Sequence, residues 1–374
     1  KQTNCKYLSD KSNSFNIEGI TTDGNDVFSI ISAIMKARNH ALENKGPTII
    51  EAITYRLAPH TTSDNANLYR NENEIRQAWE NEPLKRLRLF MLSKDYLTTD
   101  IEAKITEEIE FKIAAEIDHF LNVYPEKKSN MLDHLRGISN INNGFISSLD
   151  SNFSELPINM VEALNLALDL LLKLDQNVVL IGEDIGATGG VFRVTKELQS
   201  KYGTTRVLDF PIAESLLCGS AIGMSLANLK PIVEIQFFGF CYPILDHLIN
   251  HATRYRNRTR GQRCCPIIFR IPFGGNIQAP EHHGENLEAI FAVIPGLKVV
   301  IPSSPQQAFG LLVTSYYQND PVVILEHIKL YRYKKSMVDF KKLIPLDKAF
   351  VAHSGSDISI IAWGFQVQLA LSIA

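Results

Sequence analysis

The sequence predicts an α/β protein on a parallel-sheet fold, in which a partial first unit is followed by a larger one. Two observations carry this expectation. From Pro157 onward, short runs rich in β-branched and aromatic residues (NVVLIGEDI, PIVEIQF, PIIFRIPF, LKVVIPS and PVVILEH) alternate with helical segments, which implies a largely parallel sheet buried on both faces. At 374 residues the chain is long enough for about two domains. Residues 126–152, polar, rich in Ser and Asn and weakly patterned, are the natural linker between them.

Residues 1 to about 58 read as helix, short strand, helix, strand. Val27, Ile30, Ile31, Ile34 and Met35 recur at helical intervals behind Asn25 or Asp26 as a cap. Pro47 then introduces the β-rich TIIEAITYR. The following LAPHTTSDNANLYRNENEI is polar and aperiodic, hence a loop, and it carries His60, Tyr69 and Arg70. From the residues alone, His60 reads as a solvated loop histidine. Helices are expected over 72–92 and 100–123. The second repeats Ile101, Ile105, Ile109, Ile113 and Ile117 every four residues, a stripe for packing.

The second unit is organised around residues 209–240, DFPIAESLLCGSAIGMSLANLKPIVEIQFFGF. Residues 215–227 mix small residues with Leu, Ile and Met at helical spacing, as in a helix pressed close to neighbouring backbone. IVEIQFFGF reads as a buried strand. Glu214 stands at the helix start among apolar neighbours, where a glutamate either caps the helix or does chemistry. Upstream, residues 159–174 read as a helix, and GEDIG…GGVF as a glycine turn that lacks the pattern of a phosphate loop. Beyond Lys329, DISIIAWGFQVQLALSIA offers one strand and the start of a helix, too little to bury a core alone.

Composition excludes several classes. A formal charge of −3 gives no reason to expect nucleic acid or an anionic membrane as partner. No apolar run approaches the ~20 residues of a membrane span. Five cysteines without CxxC or zinc-ligand spacing suit a reduced, cytoplasmic protein, or the mitochondrial matrix in a eukaryote. His282 and His283 with Glu281 and Glu285 lack the spacing that would put three ligands on one helix face, so no metal is expected there.

The run PIAES…GSAIGM…KPIVEIQFFGF resembles the pyrimidine-binding domain of thiamine-diphosphate enzymes, in particular the β part of the E1 component of 2-oxo acid dehydrogenase complexes. DGNDV…KGPTIIEAITYR…PHTTSDN…YR is similar to the C-terminal part of E1 α. The resemblance implies a fused α/β E1: an α-like portion over 1–125, the linker 126–152, a β-like transketolase pyrimidine domain over 153–335, and from 336 to 374 a linker and the opening of a further domain cut off at Ala374. It implies cofactor-binding roles for Ile212, Glu214 and Phe240, with Glu214 on the aminopyrimidine ring and Phe240 stacked against it from the following strand. His283 matches a family histidine facing the active site, and His282 is the weaker match. His60 is implied on an active-site loop ordered by Tyr69 and Arg70. Relatives often carry two acids before that pair, where Asp64 and Asn65 here keep one. The hydroxyls of Thr61, Thr62 and Ser63 sit where some relatives are phosphorylated, and no such regulation is expected here.

The reaction implied is thiamine-diphosphate-dependent oxidative decarboxylation of a 2-oxo acid, with acyl transfer to the lipoyl group of an E2 partner. Burial is expected to help keep Glu214 protonated, and His60 and His283 are suited to deliver protons. Pyruvate is favoured by FFGF, RIPFGG, APEHHGENLE and LEHIKLYR, while TTSDN and GGVFRVT are equally at home in branched-chain relatives. Asp23, Gly24 and Asn25 are not the family's GDG…Asn motif for Mg²⁺ and diphosphate, which lies upstream of the region this chain resembles. The chain is therefore expected to be a fragment or a shortened protein, and a homodimer of fused chains completes each site. A non-catalytic assembly subunit and a transketolase-type transferase are the competing readings.

Overall fold

The computed structural model describes residues 3–123, 133–135, 137, 157–275, 277–279 and 281–374. The chain divides into two compact units, Lys1–Lys128 and Ser129–Ala374. In the first, a 3₁₀ turn (Leu8–Phe15) leads into β1 (Glu18–Asp23), which pairs in parallel with β2 (Thr48–Ile53) across the intervening helix α1 (Val27–Leu42). A parallel pair needs such a crossover. Asp26 caps α1, accepting from the Phe28 N–H at 3.2 Å and the Ser29 hydroxyl at 2.7 Å. Of the periodic face of α1, only Ala33 is fully buried.

Two expectations for this unit are corrected. The single helix over 72–92 is two, α2 (Glu72–Glu80) and α3 (Pro83–Ser93). Pro83 has no N–H to continue a helix and instead opens one, with Glu82 as its cap accepting from the Lys85 N–H. The isoleucine stripe lies on α4 (Thr99–Val123), yet Ile101, Ile105, Ile109, Ile113 and Ile117 remain 45–54% exposed, so within this unit the stripe packs nothing. Arg88 pairs bidentately with Glu102 at 2.6 and 2.8 Å, joining α3 to α4.

The second unit alternates helix and strand as expected: α5 (Met160–Leu174), β3 (Val178–Gly182), α6 (Leu198–Tyr202), β4 (Val207–Asp209), α7 (Glu214–Leu226), β5 (Lys230–Glu234), α8 (Tyr255–Arg258), β6 (Ile268–Phe273), α9 (Ala289–Ala292), β7 (Lys298–Val300), α10 (Pro305–Tyr316), β8 (Val322–His327) and α11 (Gln366–Ile373). The strands form one six-stranded sheet in the order β4-β3-β5-β6-β8-β7, every pairing parallel. The four inner strands, β3, β5, β6 and β8, bury both faces. Val322 and Ile324 of β8 join the core under α5 and α10, where Leu164 and Leu168 are wholly buried. Val323 and Leu325 join the opposite core, under α7 and the segment after β5. This is the both-faces burial of a parallel α/β sheet.

Arg270 is buried in this sheet beside three polar partners. Its Nε and Nη2 donate to the two oxygens of Glu326, and Nη1 to Glu234, all at 2.7 Å, while the Tyr331 hydroxyl donates to Glu326 at 2.6 Å. The two carboxylates hold the guanidinium firmly charged, and burial pushes Glu234 upward.

Three further expectations change. IVEIQFFGF is strand only to Glu234; Phe240 lies in a 3₁₀ turn, Phe238–Ile244, not on the strand. DISIIAW forms no strand: Ile358 and Ile361 are 82% and 89% exposed, with no neighbouring strand to complete their hydrogen bonds. The linker expected over 126–152 falls mostly outside the described residues, but Gly137 donates to the buried Asp320 at 2.6 Å and so belongs with the second unit. Among the described residues, no helix is long and apolar enough to cross a membrane.

Candidate active site

The strand order sets the place. After β3 the chain passes to β4 on one side, then crosses to β5 on the other. Loops leaving the carboxyl ends of β3 and β5 therefore diverge, and such a switch point leaves a crevice where α/β proteins bind ligands. The glycine turn follows β3. Gly189 and Gly190 take φ of 79° and 77°, and a Cβ on Gly190 would stand 3.0 Å from Glu234 Oε1, so side chains are refused twice over. Thr195 pins the turn by donating to the Ile185 carbonyl at 2.7 Å.

Glu214 is the first residue of α7 and half-buried; its carboxylate does not cap the helix. Beside it lies Glu183, which follows β3 and is 7% exposed. Burial, then the charges of Glu214 and Asp184, push Glu183 above the usual carboxylate range, and the Ala213 N–H offsets part of that. Among the described residues, Glu183 Oε1 has no hydrogen-bond partner. Ser215 donates to the Pro243 carbonyl at 2.9 Å, tying the start of α7 to the turn that carries Phe240. Gln236 reaches Asp184 at 3.4 Å from the end of β5. The Ile212 side chain is 87% exposed.

Phe240 and His283 are brought together: their rings meet edge-to-face at 5.2 Å. Phe237 contacts His283 at 4.8 Å and Phe192, from the glycine turn, at 5.5 Å. The His283 Nδ1 lies 2.9 Å from the Glu281 carbonyl. Gly239 is what lets this loop approach, since a Cβ there would fall 2.1 Å from the His282 carbonyl oxygen. His282 itself takes φ of 70°, is half exposed, and lies 3.5 Å from both Glu281 and Glu285. Tyr242 hydrogen-bonds Glu285 across the same loop.

In the first unit, the loop carrying His60 is folded about Asp64. One carboxylate oxygen, Oδ2, accepts from the His60 N–H at 2.7 Å and the Tyr69 hydroxyl at 2.6 Å. The Tyr69 bond, then the His60 N–H, hold Asp64 below its ordinary value. Arg70 donates to the Arg56 carbonyl at 2.6 Å and lies over the Tyr55 ring at 5.3 Å. The His60 side chain is exposed.

Residues 157–334 match the family described as transketolase, pyrimidine binding domain, and residues 1–127 match the dehydrogenase E1 component family. The chain is thus similar, in order, to a dehydrogenase E1 component region and to a transketolase pyrimidine-binding domain. Both families bind thiamine diphosphate. The pyruvate dehydrogenase E1 component subunit beta of Acholeplasma laidlawii is 51% identical over 208 residues, 55% of this chain and 64% of that protein. The proteins of the same name from Mycoplasma genitalium and Staphylococcus epidermidis are each 47% identical, over 212 and 216 residues; these are 56% and 58% of this chain and 65% and 66% of those proteins. The chain thus spans just under two thirds of the curated relatives it matches. A solved structure titled as a split gene transketolase, inactive beta4 tetramer, aligns at a TM-score of 0.43 and 21% identity, over 57% of this chain and 65% of that one.

Sequence reasoning missed Glu183, Phe192 and Phe237 as members of these clusters. The signal for Glu183 was present: an acid directly after an all-apolar strand sits at the crevice end of the sheet. The second unit offers the neighbouring carboxyls of Glu183 and Glu214, with Glu183 Oε1 unsatisfied among the described residues, and the half-buried Phe240 ring on the turn that Ser215 ties to the start of α7. That donor set fits a polar heterocycle.

Proposed function

We propose that this chain forms part of a thiamine-diphosphate-dependent E1 enzyme that oxidatively decarboxylates a 2-oxo acid, pyruvate by preference, and passes the acyl group to a lipoylated E2 acyltransferase. In this reading residues 1–125 are the α-like portion, 153–335 the β-like portion, and a dimer of fused chains completes each site. The buried Glu183 beside Glu214, pushed above the usual carboxylate range by burial, carries the reading, because two neighbouring carboxyl groups suit an aminopyrimidine. Glu214 would hydrogen-bond the ring, and Phe240 and Ile212 would help to hold it. Burial biases Glu183 toward its protonated form, in which it donates as well as accepts. In this reading His283, which contacts Phe240 and Phe237, and His60, on a loop folded about Asp64, serve as the proton carriers of acyl transfer. Thiamine diphosphate supplies the electron sink for loss of carbon dioxide. Its diphosphate and Mg²⁺ are held by a motif this chain does not contain. The names of the curated relatives favour pyruvate.

The test is Glu214→Gln in the enzyme expressed from its complete reading frame, assayed by pyruvate-dependent reduction of an artificial electron acceptor. A loss of about 10²-fold or more, the scale of a lost proton-handling group, is expected, with folding unchanged by circular dichroism. Activity near wild type removes Glu214 from the role. Faster turnover of 3-methyl-2-oxobutanoate than of pyruvate overturns the substrate preference.

A further inference from the structure

Away from the crevice, the segment from Asp246 to Ala252 carries a donor set that the reading above does not use. His247–Ala252 is a π-helical turn, with Asp246 as its leading residue. Wide i→i+5 turns are rare and frequent at functional sites. Here the turn sets residues five apart, Asp246 and His251, one above the other, where a regular α-helix would splay them apart around its axis. One ligand atom from each of Asp246, His247 and His251 lies within 4.8 Å of the other two. The two imidazole rings are 6.1 Å apart and inclined by only 37°.

We propose that Asp246, His247 and His251 form a binding site for a divalent transition-metal ion of the zinc type. Two imidazoles and one carboxylate are the ligands such ions select over Mg²⁺ or Ca²⁺, which prefer oxygen throughout. Donors sharing a tetrahedral ion at ~2.1 Å stand roughly 3.4 Å apart, so closure asks for about an ångström of side-chain movement. Asp246 and His251 are exposed and free to make it. His247 is half-buried, its ring resting near Gly219, where a Cβ would come within 3.9 Å of Cε1. It is the fixed member of the set. Asn250 donates to Asp246 Oδ1 at 2.6 Å and so orients the carboxylate, leaving Oδ2 for the ion. No ion pair among the described residues engages these three side chains. The remaining coordination positions face solvent and take water.

The test is metal binding by the full 374-residue chain, and it does not depend on the proposed enzymatic activity. Chelator-stripped protein is titrated with Zn²⁺ by calorimetry and with Co²⁺ by visible absorption, and bound metal is counted by mass spectrometry. One tight equivalent per chain is expected, with Kd raised at least tenfold in His247→Ala and in His251→Ala. Asn250→Ala weakens it less, through the carboxylate. His282→Ala, in the only other described cluster of paired histidines and carboxylates, leaves the first equivalent unchanged. No tight equivalent, unchanged binding in either His247→Ala or His251→Ala, or a first equivalent lost with His282→Ala, overturns the proposal. His251 is exposed, so its replacement leaves folding intact as a control.

Discussion

Replacing Arg270 by Leu strands two carboxylates, Glu234 and Glu326, which are 5% and 0% exposed and share its guanidinium through three hydrogen bonds of 2.7 Å. Breaking a buried pair by removing one partner costs about 3–5 kcal/mol, because the remaining charge stays desolvated. In a unit of this size each kcal/mol moves the melting temperature by roughly 2–4 °C, so the second unit should melt about 6–20 °C lower. The deficit should also depend on pH. Without the guanidinium, Glu234, which burial already pushes upward, titrates higher still in the folded variant. The stability it contributes is whole below the unfolded value of about 4.3 and is lost as pH rises through the folded value. The variant should therefore lie closest to wild type at acid pH and furthest from it above neutrality. Removing the whole set together, Arg270→Leu with Glu234→Leu, Glu326→Leu and Tyr331→Phe, should recover most of the loss. Denaturant melts across pH provide the assay. A cost below about 1 kcal/mol, or a deficit independent of pH, would refute the buried-charge account.

Other outcomes follow from the same geometry. Glu183→Gln should leave stability unchanged at acid pH. Above the ordinary carboxylate range it should be more stable than wild type, since the raised Glu183 stabilises only while protonated; thermal melts at several pH values measure this. Gly239→Ala puts a methyl 2.1 Å from the His282 carbonyl oxygen and must move the His283 loop; a shift near 1 Å should lower kcat/KM about 10²-fold, while circular dichroism stays native. Asp64→Asn weakens the hold on the His60 N–H and the Tyr69 hydroxyl, so the loop over 57–70 should be cut faster by a protease while the melting temperature stays put.

The sheet was legible because its strands are short apolar runs between turn residues, so Val178–Gly182 and Val322–His327 announce themselves. Glu214 was legible because a charge in apolar company at a helix start needs a reason. Other features depended on what a sequence does not state locally. Pro83 could have been read as a kink or as a new start, and its neighbour Glu82 decides by capping. Phe240 continues a β-rich run, yet Gly239 and Pro243 bend it into a 3₁₀ turn. The α4 stripe follows a perfect period, but period reports only that a face is apolar, not that anything in the same unit covers it. Glu183 and Phe192 come from the loop after β3 and Phe237 from the segment after β5, and only the strand order brings those two stretches together.

We propose that Glu214 and Phe240 hold one heterocyclic ring between them. A crystal structure of the complete enzyme with thiamine diphosphate bound tests that most directly. The Glu214 carboxyl should lie within hydrogen-bonding distance of the aminopyrimidine N1′, Glu183 against Glu214, and the Phe240 ring against the pyrimidine face. A ring held elsewhere, with the Glu214 carboxyl turned to solvent, would contradict the account.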